Sequence, residues 1–302
     1  MRNINMKLVL FGTAVGAVVT ALLFSPFTVA AQQSSDWQEV EKVFNRKGMV
    51  QGDVFKLTFP RSDLTVKIGE VSIEPGLALT SWVAFKPMGS QTIIMGDLVL
   101  LEDEVTPVMS KLIANGVEVT GLHNHLTGES PRVMYMHYYG QGEPAKLAER
   151  MKAAIALTKT PVTPPQPQQS PPAIDWTKVE STLGWTGQHK GNLLQISIPR
   201  AETITENGMP IPPSMGVANA INLQMIGEKA ATTGDFVLLA SEVNPVIKAL
   251  GEHGIAVTAI HNHMLTESPR LFFLHFWGVD EPERLAQGLK AALDKTNSAN
   301  KK

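Results

Sequence analysis

Residues 117–140 read VEVTGLHNHLTGESPRVMYMHYYG, and residues 255–278 read IAVTAIHNHMLTESPRLFFLHFWG. Each is an apolar, β-prone run, a turn rich in Ser, Pro and Gly or Thr, and a second apolar run. That order predicts a hairpin. Residues two apart on a strand share a side, so His123 and His125 face one way and Asn124 the other. The turn then carries Glu129 back towards the strand end. His137 lies on the returning strand, and its face depends on the hairpin register, which the spacing leaves open. The second copy places His261, His263, Glu267 and His275 at the same offsets.

Outward from the hairpin, residues 96–140 and 234–278 align without a gap, and roughly half of the paired positions are identical. The chain is therefore an internal duplication. Its flanks agree: DWQEVEKVF at Asp36 parallels DWTKVESTL at Asp175, and FPR ending at Arg61 parallels IPR ending at Arg200. A helix should precede each hairpin. Thr106 suits its cap, Pro107 its first turn and Gly116 its stop; Asn244, Pro245 and Gly254 repeat the device. A second helix should open near Pro144. The first half of each copy adds a helix, from Asp36 to about Lys47 in copy one. It also adds strands around DVFKLTF, LTVKIGEV and TSWVAF. The expected class is α+β: two homologous domains, each a mainly antiparallel sheet packed with helices.

The ends and the middle read differently. Arg2 and Lys7, the apolar run of residues 8–24 and the small residues Val29 and Ala31 have the order of a secretory signal. Residues 1–31 are expected to be removed, leaving an exported, periplasmic or extracellular protein with no membrane span. Residues 161–172, PVTPPQPQQSPP, favour extended polyproline II and mark a linker over 159–173. The expected domains are 34–158 and 174–296, joined by a cleavable hinge that leaves two stable halves. The 302 residues include no cysteine, which excludes disulfides and thiolate metal sites. A net charge of −2 without a basic run argues against nucleic acid.

Six of the eight histidines occupy the repeated positions; His189 and His253 have no counterparts. Two imidazoles and a carboxylate at this spacing can converge on zinc, copper, iron or manganese. The expected ligands are His123, His125, Glu129 and His137, with His261, His263, Glu267 and His275 in the second copy. Arg132 and Arg270 would either pair with those glutamates or grip a small anionic ligand. Asp97 and Asp235 follow a glycine and read as turn formers. Glu104 and Glu242 precede a helix, where a carboxylate suits the dipole. Tyr135, Tyr139, Phe273 and Trp277 read as an aromatic wall beside the histidines.

GDLVLLEDEVTPVM, VTGLHNHLTGESPRVMYMHYYG and their second copies resemble the LppY/LpqO family of exported bacterial proteins, a domain-of-unknown-function family. The resemblance covers nearly the whole mature chain and brings no established reaction. That family's named members are lipoproteins, and this chain lacks the cysteine they need. His-x-His followed by Glu is also similar to the first metal motif of cupins, but Met136 stands where that motif has glycine. Three functions stay open: a binding module for a divalent metal, small ligand or envelope component; a metal-dependent hydrolase with Glu129 or Glu267 as base; and a structural envelope protein without metal. Binding is favoured, because no second catalytic group is evident.

Overall fold

In the computed structural model, which describes residues 37–163 and 174–299, each copy builds one six-stranded antiparallel sheet. The expected signal segment and most of the expected linker lie outside the described residues. Copy one runs α1 (37–44), β1 (Met49–Gln51), β2 (Val54–Pro60), β3 (Val66–Ile68), β4 (Val71–Ile73), a helical turn α2 (Pro75–Ala78), β5 (Thr80–Met88) and β6 (Gln91–Leu101). It continues through α3 (Glu102–Ala114), β7 (Glu118–His123), β8 (Glu129–Ser130), β9 (Val133–Gly142) and α4 (Pro144–Ile155). Copy two runs α5 (Thr177–Leu183), β10 (Gln188–Lys190), β11 (Leu193–Pro199), β12 (Thr205–Glu206), β13 (Met209–Pro210), β14 (Ala218–Ile226) and β15 (Lys229–Leu238). It ends with α6 (Ala240–Glu252), β16 (Ala256–His261), β17 (Phe272–Asp280) and α7 (Pro282–Leu293). The strand orders β1-β2-β5-β6-β9-β7 and β10-β11-β14-β15-β17-β16 are the same path twice. The expected α+β class with two similar domains is what forms.

Alternation decides which face goes where. In β6 and β9 the residues Ile94, Leu98, Leu100, Met136 and Tyr138 point towards the helices, where they meet Val108, Leu112, Leu147 and Met151. Their odd-numbered neighbours Ile93, Met95 and Tyr139 point the other way and pack on Val237, Phe273 and Ile211 of copy two. Val99, Val133 and Tyr135 likewise share a cluster with Leu193 and Ala231. Each sheet thus has helices on one side and the other copy on the other. A strand covered on both faces reads as a continuous apolar run, which is how β6 reads. The copies share these inner faces: among the described residues, two of the four hydrophobic clusters contain residues of both copies.

Three local expectations are also corrected. Helix α3 starts at Glu102 and α6 at Ala240, so Pro107 and Pro245 lie inside the helices. The start is set by Glu104 and Glu242, whose carboxylates accept the N–H of Leu101 at 2.9 Å and of Leu239 at 2.7 Å. LTVKIGEV is two short strands, not one, because Gly69 turns the chain at φ +55°. Asp97 lies inside β6, opposite His137, and not in a turn. The glycine before it is forced by close packing, since a Cβ on Gly96 would stand 2.2 Å from the Trp82 carbonyl oxygen.

Arg61 is fully buried. It donates to Glu104 at 2.7 and 3.2 Å, to Asp63 at 2.9 Å and to the Val99 carbonyl at 2.7 Å. Arg200 makes the same contacts with Glu242, Glu202 and Val237. Glu104 and Glu242 also accept the N–H of Lys159 and of Asn297, clipping down the segment that follows the last helix of each copy. Arg61→Met leaves two carboxylates without their cation. Breaking a buried pair in this way costs about 3–5 kcal/mol, and the urea midpoint of the variant should fall accordingly.

Candidate metal centre between the copies

Both HNH triplets sit at the end of the edge strand of their sheet, and the two edge ends meet. The contacts come in symmetric pairs. Thr120 Oγ1 donates to the His263 carbonyl at 2.6 Å, and Thr258 Oγ1 to the His125 carbonyl at 2.5 Å. Asn124 Nδ2 donates to Leu126 O of its own turn and to Thr258 O across the interface, at 2.9 and 3.1 Å. Asn262 does the same to Met264 O and Thr120 O, each at 3.0 Å. The asparagines therefore both order their turns and clasp the copies. Asn124→Ala strands two acceptors, at roughly 1 kcal/mol for each lost bond. Thermal melting should show a loss larger than for an exposed change such as Lys111→Ala on the outer face of α3.

The clasp brings all six repeated histidines together. His123 lies 5.1 Å from His125 and 4.9 Å from His137 between ring centroids, and its ring stacks on His261 at 3.4 Å. His125 approaches His275 at 3.7 Å, and His137 approaches His263 at 3.7 Å. The pairs are related by an approximate twofold axis through the His123–His261 contact. The register question is answered: His137 and His275 share the face of the HNH histidines. Tyr135 stacks on His125 at 3.3 Å and Phe273 on His263 at 3.6 Å, while Tyr139 and Trp277 belong to the clusters on either side.

Second partners fix the rings. His123 Nδ1 lies 3.2 Å from Asn124 O, His137 Nδ1 3.2 Å from Gly96 O and His275 Nδ1 2.6 Å from Gly234 O. A ring that donates Nδ1–H to a carbonyl presents a bare Nε2. The Nε2 atoms of His123, His125, His137 and His275 and the Nδ1 of His261 are buried without a hydrogen-bond partner. Burial holds His123 down to about 4 and His275 to about 3. Burial, and then the neighbouring imidazoles, keep His125, His137, His261 and His263 below the usual range.

Asp97 and Asp235 complete the cluster. Asp97 lies 3.7 Å from His125 Nε2 and 4.0 Å from His137 Nε2. Asp235 lies 3.5 Å from His263 Nε2 and 4.0 Å from His275 Nδ1. Each has an unpartnered buried Oδ1. Burial raises both well above the usual carboxylate range; Lys56 opposes this at Asp97, and Asp97 itself adds to it at Asp235. Two sets of ligand atoms lie within 4.8 Å of one another: His123, His125 and His137, and His123, His261, His263 and His275.

The expected carboxylate ligands stand elsewhere. Glu129 Oε1 accepts the Val133 N–H at 3.4 Å and Glu267 Oε1 the Leu271 N–H at 3.2 Å, so both close the turn that follows them. Arg132 is exposed and reaches Glu102 at 3.8 Å, whereas Arg270 pairs with Glu267 at 3.2 Å. Neither arginine belongs to the histidine cluster. Glu104 and Glu242 are the partners of the buried arginines. The residues missed by sequence reasoning are Asp97 and Asp235. The signal was present: each is the lone acidic residue of its strand, kept in both copies.

A family model described as Domain of Unknown Function (DUF1259) matches residues 38–157 and again residues 177–295. No curated protein matches the chain. Among solved structures, a trimeric bacterial microcompartment shell protein, PduB, has 13% identity over 82% of this chain and 93% of its own, with a TM-score of 0.20. EtuB from Clostridium kluyveri has 10% identity over 82% of this chain and 89% of its own, with a TM-score of 0.19. At such scores neither likeness carries an argument.

Proposed function

Because the chain belongs to the DUF1259 family of domains of unknown function, in two tandem copies, and the family supplies no reaction, we propose a function from the site: the two copies jointly bind divalent metal ions in one shared centre. The observation that carries this is the set of five imidazole nitrogens and two carboxylate oxygens, all buried without partners and gathered at one interface. A buried polar atom without a hydrogen bond costs free energy, and a cation offsets that cost for several of them at once. The chemistry fits as well. Neutral imidazoles with a carboxylate nearby suit zinc, copper, iron or manganese. The buried imidazoles remain unprotonated at neutral pH, as a ligand must. Binding is the reading we keep. Hydrolysis loses its named bases, since Glu129 and Glu267 are committed to backbone N–H groups.

The same proposal places the protein outside the cytoplasm. The apolar run of residues 8–24, the small residues before Gln32 and the likeness to LppY/LpqO proteins support export. Among the described residues no helix is long and apolar enough to cross a membrane.

The test is metal content and zinc titration of purified protein and three variants. His123 belongs to both ligand sets, so His123→Ala should weaken uptake at both. His137→Ala should weaken one set and His275→Ala the other. Uptake by wild type that survives all three changes, or no uptake of any of the four metals, would sink the proposal.

A further inference from the structure

The histidine cluster is nearly twofold symmetric, but its surroundings are not. Beside His137 and His263 lies a small cavity between the copies, of about 10 Å³, which is room for one water-sized occupant. Its walls include Trp82, Met95, Met215 and Met264 as well as the two imidazoles. Three of the chain's 13 methionines therefore line one cavity. Met215 and Met264 are 1% exposed and Met95 5%.

The twofold-related positions differ. Met95 pairs with Tyr139 in its sheet, and the matching partner of Trp277 is Thr233. Met264 matches Leu126, at the offset that relates the two HNH triplets. Met215, three residues before β14, matches Leu77, three residues before β5. Leu77, Leu126 and Thr233 are all buried too, so both sides of the cluster need filling. Only one side is filled with thioethers. Shape alone does not require this, because the same fold packs Leu, Leu and Thr at the related points.

Thioether sulfur is soft, neutral and proton-free, and such ligands select monovalent copper over zinc. His137 lines the same cavity, and its buried Nε2 has no hydrogen-bond partner and is shared with the His123–His125–His137 set. We propose that this cavity is a soft-cation subsite that takes monovalent copper, or silver as its stable mimic, on Met95, Met215, Met264 and His137. It deepens the reading of the interface as a metal centre and rests on that reading only through His137. The asymmetry sets the stoichiometry: one soft cation per chain.

The experiment titrates silver(I), and separately zinc(II), into the full chain, with bound metal measured after desalting. The comparison is the triple variant Met95→Thr, Met215→Leu, Met264→Leu, which installs residues the fold already accepts at the related positions. The expected result is loss of the silver ion with zinc uptake unchanged. Silver binding that is equal in wild type and variant overturns the proposal. A second measurement needs no variant to fold. With methyl-labelled methionine in wild type, silver should shift the Met95, Met215 and Met264 methyl signals and leave distant methionines such as Met49 in place. Unmoved signals at those three overturn it as well. Zinc failing while silver still binds through the methionines would count against the divalent centre and in favour of this subsite.

Discussion

Produced separately, residues 34–158 and 174–296 are expected to fail to fold cooperatively, and to recover structure when mixed. The reason is the inner face of each sheet. On copy one it presents Val54, Ala84, Ile93, Met95 and Tyr139, which pack with Ile204, Ile211, Val217, Val237 and Phe273 of copy two. Burying a large apolar side chain fully is worth about 1.5–3 kcal/mol. A domain's net stability is only about 5–15 kcal/mol. Exposing one such face removes as much as the half has to lose. Polar groups add to this. Gln224 bonds both Ser72 O and the Glu74 N–H, Gln195 bonds Gly76 O and Asn222 bonds Leu77 O. Those side chains hold the segment before β5 on the other copy's sheet. By contrast, a single cut between residues 164 and 173 should leave a nicked protein that runs intact on gel filtration. Circular dichroism and urea unfolding of the separated halves decide the point. Two independent, cooperative transitions would show that each sheet holds without its partner.

The elements within each copy were legible because their signals are local. Alternation marks strands, a carboxylate or proline marks a helix start, and Gly116 and Gly254 mark stops at φ +70° and +71°. The repeat then doubles every such signal. What a repeat cannot show is whether its copies touch. The inner faces of β6 and β9 look the same in sequence whether they pack on a lid, a ligand or a second sheet. The site followed that divide. Spacing put His123 and His125 on one face, which the strand ensures. Glu129 was expected among them because it is near in sequence, yet the turn spends its carboxylate on the Val133 N–H. Asp97 was passed over because it is 26 residues from His123, though one strand pairing brings it opposite His137. Ligands donated across a sheet, and across an interface, have no spacing to read.

The metal-free protein should be unusually acid-labile, and zinc should relieve this. His123 and His275 are held by burial at about 4 and 3, and the other four cluster histidines are also lowered. Their unfolded value is near 6.5. The unfolded chain therefore takes up protons first. Stability is full above pH 6.5 and is lost as pH falls towards the folded values. At pH 5 each imidazole that stays neutral costs about 2 kcal/mol. Asp97 and Asp235 work in the opposite sense, because raised carboxylates destabilise the fold as pH rises. Six groups stand against two, so acidification should win and the urea midpoint should fall between pH 7 and 5. Bound zinc adds stability at neutral pH, about 2.7 kcal/mol at a hundredfold excess over its dissociation constant. It also competes with protons for the same nitrogens, so the transition should move to lower pH when zinc is present. Urea midpoints across pH 4.5–7.5, with and without zinc, measure both effects. A flat midpoint across that range would mean that the six imidazoles do not stay neutral together, and the shared centre would lose its chemical basis.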